Sequence, residues 1–171
     1  MAYMISSGTY VPYFNKAQTT TSGSTQFFDL NPYIGAGAQI LLSGPHYFSP
    51  EAGYVYYKEN AKNTRTELIN LQYNFSYVLS SRFLFRYGLS NNWLRIIGKG
   101  GNVSLKNGNT TTSFKSPDKT VTSYFTTLNL GTEYMFSTRK YSLRFDLNMM
   151  SFAKFEKRAY NYLLTFNFYL P

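Results

Sequence analysis

The sequence predicts an all-β protein: an eight-stranded antiparallel transmembrane β-barrel. Three observations carry that prediction. Large apolar and aromatic residues recur at every second position, over runs longer than an ordinary strand. Side chains on a strand alternate between its faces, so each run has one apolar and one polar face. Aromatic residues make up 19% of the chain and charged residues only 15%, well below the roughly 25% charge of a soluble domain. Finally, the polar stretches between runs are alternately short and long.

The elements follow in order. Residues 2–15 favour extended backbone with a blurred alternation, and Lys16 to Thr25 is a polar loop. From Gln26 to Leu42 the even positions Phe28, Leu30, Pro32, Ile34, Ala36, Ala38 and Ile40 are apolar, against Asp29, Asn31, Gly35, Gly37 and Gln39. Leu42 to Glu51 holds two prolines and the only histidine and reads as a connection. Ala52 to Tyr57 is a short aromatic strand, and Lys58 to Arg65 a charged loop.

Leu68 to Leu79 alternates cleanly, with Ile69, Leu71, Tyr73, Phe75 and Tyr77 against Asn70, Gln72, Asn74 and Ser76. Ser80-Ser81 makes a tight turn, and Phe83, Phe85, Tyr87 and Leu89 continue the apolar face opposite Arg86. Gly98 to Thr122 is the longest polar region. Within it Asn107-Gly108 favours a hairpin turn, so this loop is expected to stand up as a hairpin broken at its Gly and Pro ends. Leu128, Leu130, Tyr134 and Phe136 oppose Asn129, Gly131 and Glu133.

The last two runs are the plainest. Tyr141, Leu143, Phe145, Leu147 and Met149 alternate with Ser142, Arg144, Asp146 and Asn148. Tyr160, Tyr162, Leu164, Phe166, Phe168 and Leu170 alternate with Asn161, Leu163, Thr165 and Asn167. A typical strand has about 5–6 residues, whereas about 9–11 are needed to cross a hydrocarbon core at a tilt. These two runs read as a membrane-spanning hairpin.

The whole chain, 1–171, thus reads as one domain of eight strands with no helical pattern. Even strand number, short turns on one side and longer loops on the other are the layout of a transmembrane barrel. Both termini then lie on the periplasmic side. The alternative is a soluble lipocalin-like barrel carrying a lipid or small molecule, with the apolar face turned inward. Strand length and an aromatic face almost without charge weigh against it.

With these residues in place, the chain resembles the small bacterial outer-membrane barrels typified by the membrane domain of outer-membrane protein A. The resemblance rests on the eight strands, on Asn31-Pro-Tyr-Ile-Gly-Ala-Gly-Ala38 and on the final alternating strand. It implies residence in the outer membrane of a Gram-negative bacterium. One departure is the end, Tyr169-Leu170-Pro171, where the family commonly places Phe.

No catalytic chemistry is expected. A Ser–His hydrolase needs a histidine held between a nucleophile and an orienting acid. His46 lies instead in the Pro-rich connection. Gly98-Lys99-Gly100-Gly101 lacks the spacing of a phosphate loop. The chain has no cysteine, and neither a metal nor a cofactor is expected. The net charge of +9 lies in loops rather than on one face, so a nucleic-acid partner is not expected either.

Four groups of residues remain as candidates. Arg86, Glu133, Arg144 and Asp146 fall on the polar face of neighbouring strands. A Thr138-Arg139 turn would set Glu133 across from Arg144, with Glu133 shared between Arg86 and Arg144. In a barrel of this size they form either a plug or the gate of a narrow porin-like channel. Tyr134, Tyr141, Tyr160 and Tyr162 suit the interfacial girdles. Pro32, Ile34, Ala36 and Ala38 make a stripe that a second protomer's Leu143, Phe145 and Leu147 would fill, giving a ring. The basic loops, including Lys16, Lys58, Lys62, Arg65, Lys99, Lys106, Lys115, Lys119, Lys154, Lys157 and Arg158, suit an anionic glycolipid. Membrane lipid is the partner expected for the barrel's apolar face.

Overall fold

The computed structural model describes residues 1–12, 18–19, 25–26, 30–57, 64–107, 110–115, 117–136 and 140–170. The strands are β1 (Ala2–Val11), β2 (Gln18–Thr19), β3 (Thr25–Gln26), β4 (Asn31–Ser43), β5 (His46–Tyr56) and β6 (Thr64–Val78). They continue as β7 (Phe83–Gly98), β8 (Asn102–Asn107), β9 (Thr110–Lys115), β10 (Val121–Met135), β11 (Tyr141–Met150) and β12 (Ala159–Leu170). Eight of them close a barrel in the order β1-β12-β11-β10-β7-β6-β5-β4, every neighbour antiparallel. Closure leaves no unpaired edge in the wall, as a strand in hydrocarbon requires. The pairs β2–β3 and β8–β9 are separate two-stranded ribbons in the long connections.

The polar face of every long run points into the lumen. Asn70, Gln72, Asn74 and Ser76 on β6 are buried, whereas Ile69, Tyr73, Phe75 and Tyr77 between them are exposed. The same holds on β11, where Ser142, Arg144, Asp146 and Asn148 are buried and Leu143 and Phe145 exposed. An apolar exterior around a polar interior is the inverse of a soluble carrier, so the lipocalin-like alternative is corrected.

Four boundaries differ from the sequence reading. Leu42 to Glu51 is not a connection: β5 begins at His46, after a two-residue turn at Gly44-Pro45. Gly44 has φ +53, the left-handed conformation that glycine adopts without strain. The prolines hid this strand, since Pro50 lacks an N–H for the ladder. The β4–β5 pairing indeed skips Ala38 and Gln39, opposite Pro50 and Ser49. The Ser80-Ser81 turn extends through Arg82, with Ser80 Oγ accepting from the Arg82 and Phe83 N–H groups at 3.3 and 3.2 Å. β7 runs on to Gly98 and β10 starts at Val121, so both strands are longer than the alternation suggested. The loop hairpin is present, with Asn107 pairing with Thr110; the expected turn at Asn107-Gly108 runs outside the described residues. Its ladder breaks near Gly100 and Gly101, both at positive φ.

The termini share one end of the barrel with the short turns after β4, β6 and β10; the longer connections lie at the other, loop end. A 3₁₀ turn, Phe155–Lys157, sits between β11 and β12.

Candidate functional site: a filled lumen and a charged rim

The lumen is stacked in layers. Nearest the middle lies a charge layer, and the structure brings Arg86, Glu133, Arg144 and Asp146 together in it. Glu133 does lie across from Arg144, and Gly131 between Arg86 and Asp146. All four are buried, with at most 1% of each side chain exposed. Arg86 Nη1 is 3.3 Å from Glu133 Oε2, and its Nε 3.3 Å from Asp146 Oδ1. Arg144 Nε lies 3.0 Å from Asp146 Oδ2, an ionic contact without hydrogen-bond alignment.

The expected sharing of Glu133 between the two arginines is corrected. Arg144 pairs instead with Glu51, donating from Nη1 and, at 3.1 Å, from Nη2. Strand opposition places two Cα atoms side by side, but a long guanidinium reaches across a narrow lumen as easily as along its wall. Glu51 lay in the supposed connection, so the sequence reading missed it. Its signal was parity: Ser49, Glu51, Gly53 and Val55 are the alternate buried positions of β5.

Neutral donors complete the carboxylates. Tyr33 OH donates to Glu51 Oε1 at 2.7 Å, and Gln72 Nε2 donates to Tyr33 OH at 3.2 Å. Glu133 accepts from Ser142, Tyr169 and, at 3.2 Å, Asn167. Glycines make the room. A Cβ on Gly35 would stand 2.5 Å from Glu51 Oε1, and one on Gly131 2.1 Å from Asp146 Oδ1. This places Gly35, singled out in the sequence beside the small-residue stripe, in the lumen wall.

Towards the loop end follows a layer of neutral polar groups. Asn74 donates to Gln72 at 2.9 Å, Asn129 to Asn74 at 3.0 Å, and Ser90 to Asn129 at 3.1 Å. Above it sits an apolar layer, which the sequence reading did not anticipate. Tyr10, Tyr33, Val55, Leu68 and Leu163 form a buried cluster, with Tyr57, Leu94 and Phe125 against it. Tyr33, Val55, Leu68 and Leu94 are successive partners across β4 to β7. Leu163, apolar on an otherwise polar face, was its trace in the sequence. At the turn end a hollow of about 220 Å³ is lined by Gln39, Tyr47, Leu84 and Tyr169, among others.

On the outer wall the four tyrosines all point outward. Tyr134 packs on Phe83 and Phe136 with centroids 5.0 and 5.4 Å apart, near the turn end. Tyr141 stacks between Phe166 and Phe168 at 5.7 and 5.3 Å. Tyr162 meets Phe145 at 5.8 Å, and Tyr160 pairs across from Met149 towards the loop end. His46 is exposed at the start of β5, its ring 5.0 Å from that of Tyr77. It stands outward beside the Gly44-Pro45 turn, as the first residue of β5 rather than within a longer connection.

Pro32, Ile34, Ala36 and Ala38 lie outward on β4, with Pro32, Ile34 and Ala36 exposed. A groove of about 360 Å³ runs across Ala36, Ala38, Pro50 and Ala52, bounded by Tyr3, Leu71 and Tyr73. Of the basic residues, Lys16, Lys58 and Lys62 lie outside the described residues. Arg65 and Lys99 stand together beside a hollow at the loop end. Arg158 is turned back onto its own loop, donating from Nε and Nη2 to the Phe152 carbonyl at 3.2 and 2.8 Å.

A closed eight-stranded wall, apolar outside and polar inside, defines an integral membrane protein of the transmembrane β-barrel class. Its fold is that of the small outer-membrane barrels. The chain superposes on the attachment invasion locus protein of Yersinia pestis with a TM-score of 0.54 and 5% identity, over 98% of this chain and 97% of that one. It superposes on Neisserial surface protein A with a TM-score of 0.51 and 13% identity, over 99% and 96%. For the N-terminal β-barrel domain of OprF from Pseudomonas aeruginosa the TM-score is 0.50 and the identity 12%, over 99% and 97%. No protein-family model matches the chain, and no curated protein matches it in sequence.

Proposed function

We propose that this protein is a non-enzymatic scaffold of the bacterial outer membrane, with a sealed lumen and a basic rim that meets anionic glycolipid. The charged and apolar side chains buried inside the barrel are the observation that supports this reading. Two guanidiniums and three carboxylates cross-link the wall, and an apolar cluster lies on their loop-end side. Ions would have to break the first and shed hydration at the second. An eight-stranded barrel has an interior only wide enough for side chains. The plug is therefore favoured over the porin-like gate. In planar bilayers the wild-type protein is expected to show no stepwise conductance. Reproducible single-channel steps from heat-modifiable, folded protein would favour the channel instead.

A second reading, self-association, is favoured by the groove over Ala36, Ala38, Pro50 and Ala52. Without a hydrophobic drive between proteins in lipid, association depends on close packing at small residues. The exposed Leu143 and Phe145 on β11 offer the bulk to fill such a groove. Contact between different faces would build a ring.

A further inference from the structure

The outward wall of β5, β6 and β7 carries a charged cluster at its loop end. Side chains on this wall stand in registered rows. Tyr54, Ile69, Trp93 and Tyr124 are successive partners across β5, β6, β7 and β10. The Trp93 and Tyr124 rings meet edge-on with centroids 6.3 Å apart. Rings with one polar end collect where acyl chains give way to headgroups, so this row marks the edge of the hydrocarbon. The next row outward holds Tyr56, Glu67 and Arg95, and the one after it Arg65 opposite Ile97. Two residues along a strand rise about 6–7 Å, somewhat less when tilted. Both guanidiniums thus stand at headgroup depth.

They are held there. Arg95 Nη1 lies 2.9 Å from Glu67 Oε1, and Arg65 Nη2 3.3 Å from Glu67 Oε2. Tyr54 OH donates to Glu67 Oε2 at 2.8 Å and accepts from Arg65 Nη2 at 3.1 Å. The Arg65 guanidinium also lies over the Tyr56 ring, 5.5 Å from its centroid. The Glu67 side chain is only 7% exposed, whereas those of Arg65 and Arg95 are 55% and 40% exposed. The carboxylate orients both arginines while leaving much of each open. Beside Arg65 a hollow of about 520 Å³ is lined by Thr64, Ile97 and Lys99 as well. Two guanidiniums therefore flank one carboxylate on a wall that faces lipid, and Lys99 lines the hollow beside Arg65. A phosphate ester fits this arrangement: its oxygens match the guanidinium fork, and its chains would lie on Ile69 and Leu89 below.

We propose that Arg65, Arg95 and Lys99 form a binding site for the phosphate monoester of a membrane-anchored amphiphile in the outer-facing leaflet, a near-dianion unlike the zwitterionic diester of phosphatidylcholine. This rests on the glycolipid reading of the rim and narrows it to one wall and one chemical group. The loop lysines add only attraction, screened over a Debye length.

The test uses the full chain in phosphatidylcholine nanodiscs, titrated with diphosphoryl lipid A. Trp93 is the only tryptophan, so its emission reports from the row beneath the site. A saturable change is expected, weakened about tenfold or more by R65Q/R95Q and less by R65K/R95K, which keeps charge without the fork. Dephosphorylated lipid A is expected to bind as weakly as the double variant, and free pyrophosphate to give no response. A pyrophosphate response equal to that of lipid A would overturn membrane anchoring. Loop variant K115Q/K119Q/K154Q should stay within about threefold of wild type. If R65Q/R95Q binds like wild type while the loop variant fails, the site is wrong and the basic-rim reading stands. If wild type shows no saturable binding, both are wrong. Heat-dependent gel mobility checks folding. Should R65Q/R95Q not fold, R95K/K99Q replaces it; undiminished binding by that variant would overturn the proposal.

Discussion

Replacing Arg144 by Met should destabilise the barrel far more than replacing its partner Glu51 by Gln. The asymmetry comes from the charge balance of the layer. Glu51, Glu133 and Asp146 give three negative charges against the two positive charges of Arg86 and Arg144, a net 2 − 3 = −1. Arg144→Met moves that balance to 1 − 3 = −2 and leaves Glu51 with Tyr33 as its side-chain donor among the described residues. Removing one partner of a buried pair costs about 3–5 kcal/mol, because the other charge stays behind unpaired. Arg144 and Glu51 are both fully buried, so water does little to soften that cost. Glu51→Gln keeps an acceptor of the same shape facing Arg144 and brings the balance to 2 − 2 = 0. It should cost about 1–2 kcal/mol, the charge assistance of one paired contact. The assay is urea unfolding from lipid vesicles, followed by Trp93 emission and by heat-dependent gel mobility. An unchanged midpoint for R144M, or a larger loss for E51Q than for R144M, would refute the charge-layer account.

Two further outcomes follow from the wall. Ala36→Phe or Ala38→Phe should fill the groove on β4 and β5 and convert any higher-order species in mild detergent to monomer, read by cross-linking or mass; a wild type already monomeric, and unaltered by either change, would end the self-association reading. Gly8→Ala should impair closure of the β1–β12 seam, because its Cβ would stand 2.0 Å from the Leu164 carbonyl oxygen. Overpacking of this kind costs about 1–3 kcal/mol. Refolding yield for Gly8→Ala should therefore fall below that for Gly44→Asn, where nothing lies within 4 Å and the positive φ suits Asn. Equal yields would show that the seam can yield.

The sequence alone determined the class of fold. Two-residue alternation is a local property of extended backbone, so it survives without any tertiary contact. It was legible wherever the run was long, as in β6, β11 and β12, and it assigned Arg86, Glu133, Arg144 and Asp146 to the lumen and Ala36 and Ala38 to the lipid. Where proline interrupted the ladder it failed, which is why β5 was cut short and Glu51 lost. Only the tertiary structure decided which charges meet. Register and strand order set the Cα neighbours, but in a lumen one side chain wide the partner of Arg144 comes from β5, across the barrel rather than along the wall. The apolar layer was hidden for the same reason. Tyr33, Val55, Leu68 and Leu163 are far apart in the chain, and each looks like an isolated exception on a polar face until closure brings them to one height. The rim cluster needed both levels: alternation puts Arg65, Glu67 and Arg95 outward, and the β6–β7 register sets Glu67 against Arg95 beside the row that carries Trp93.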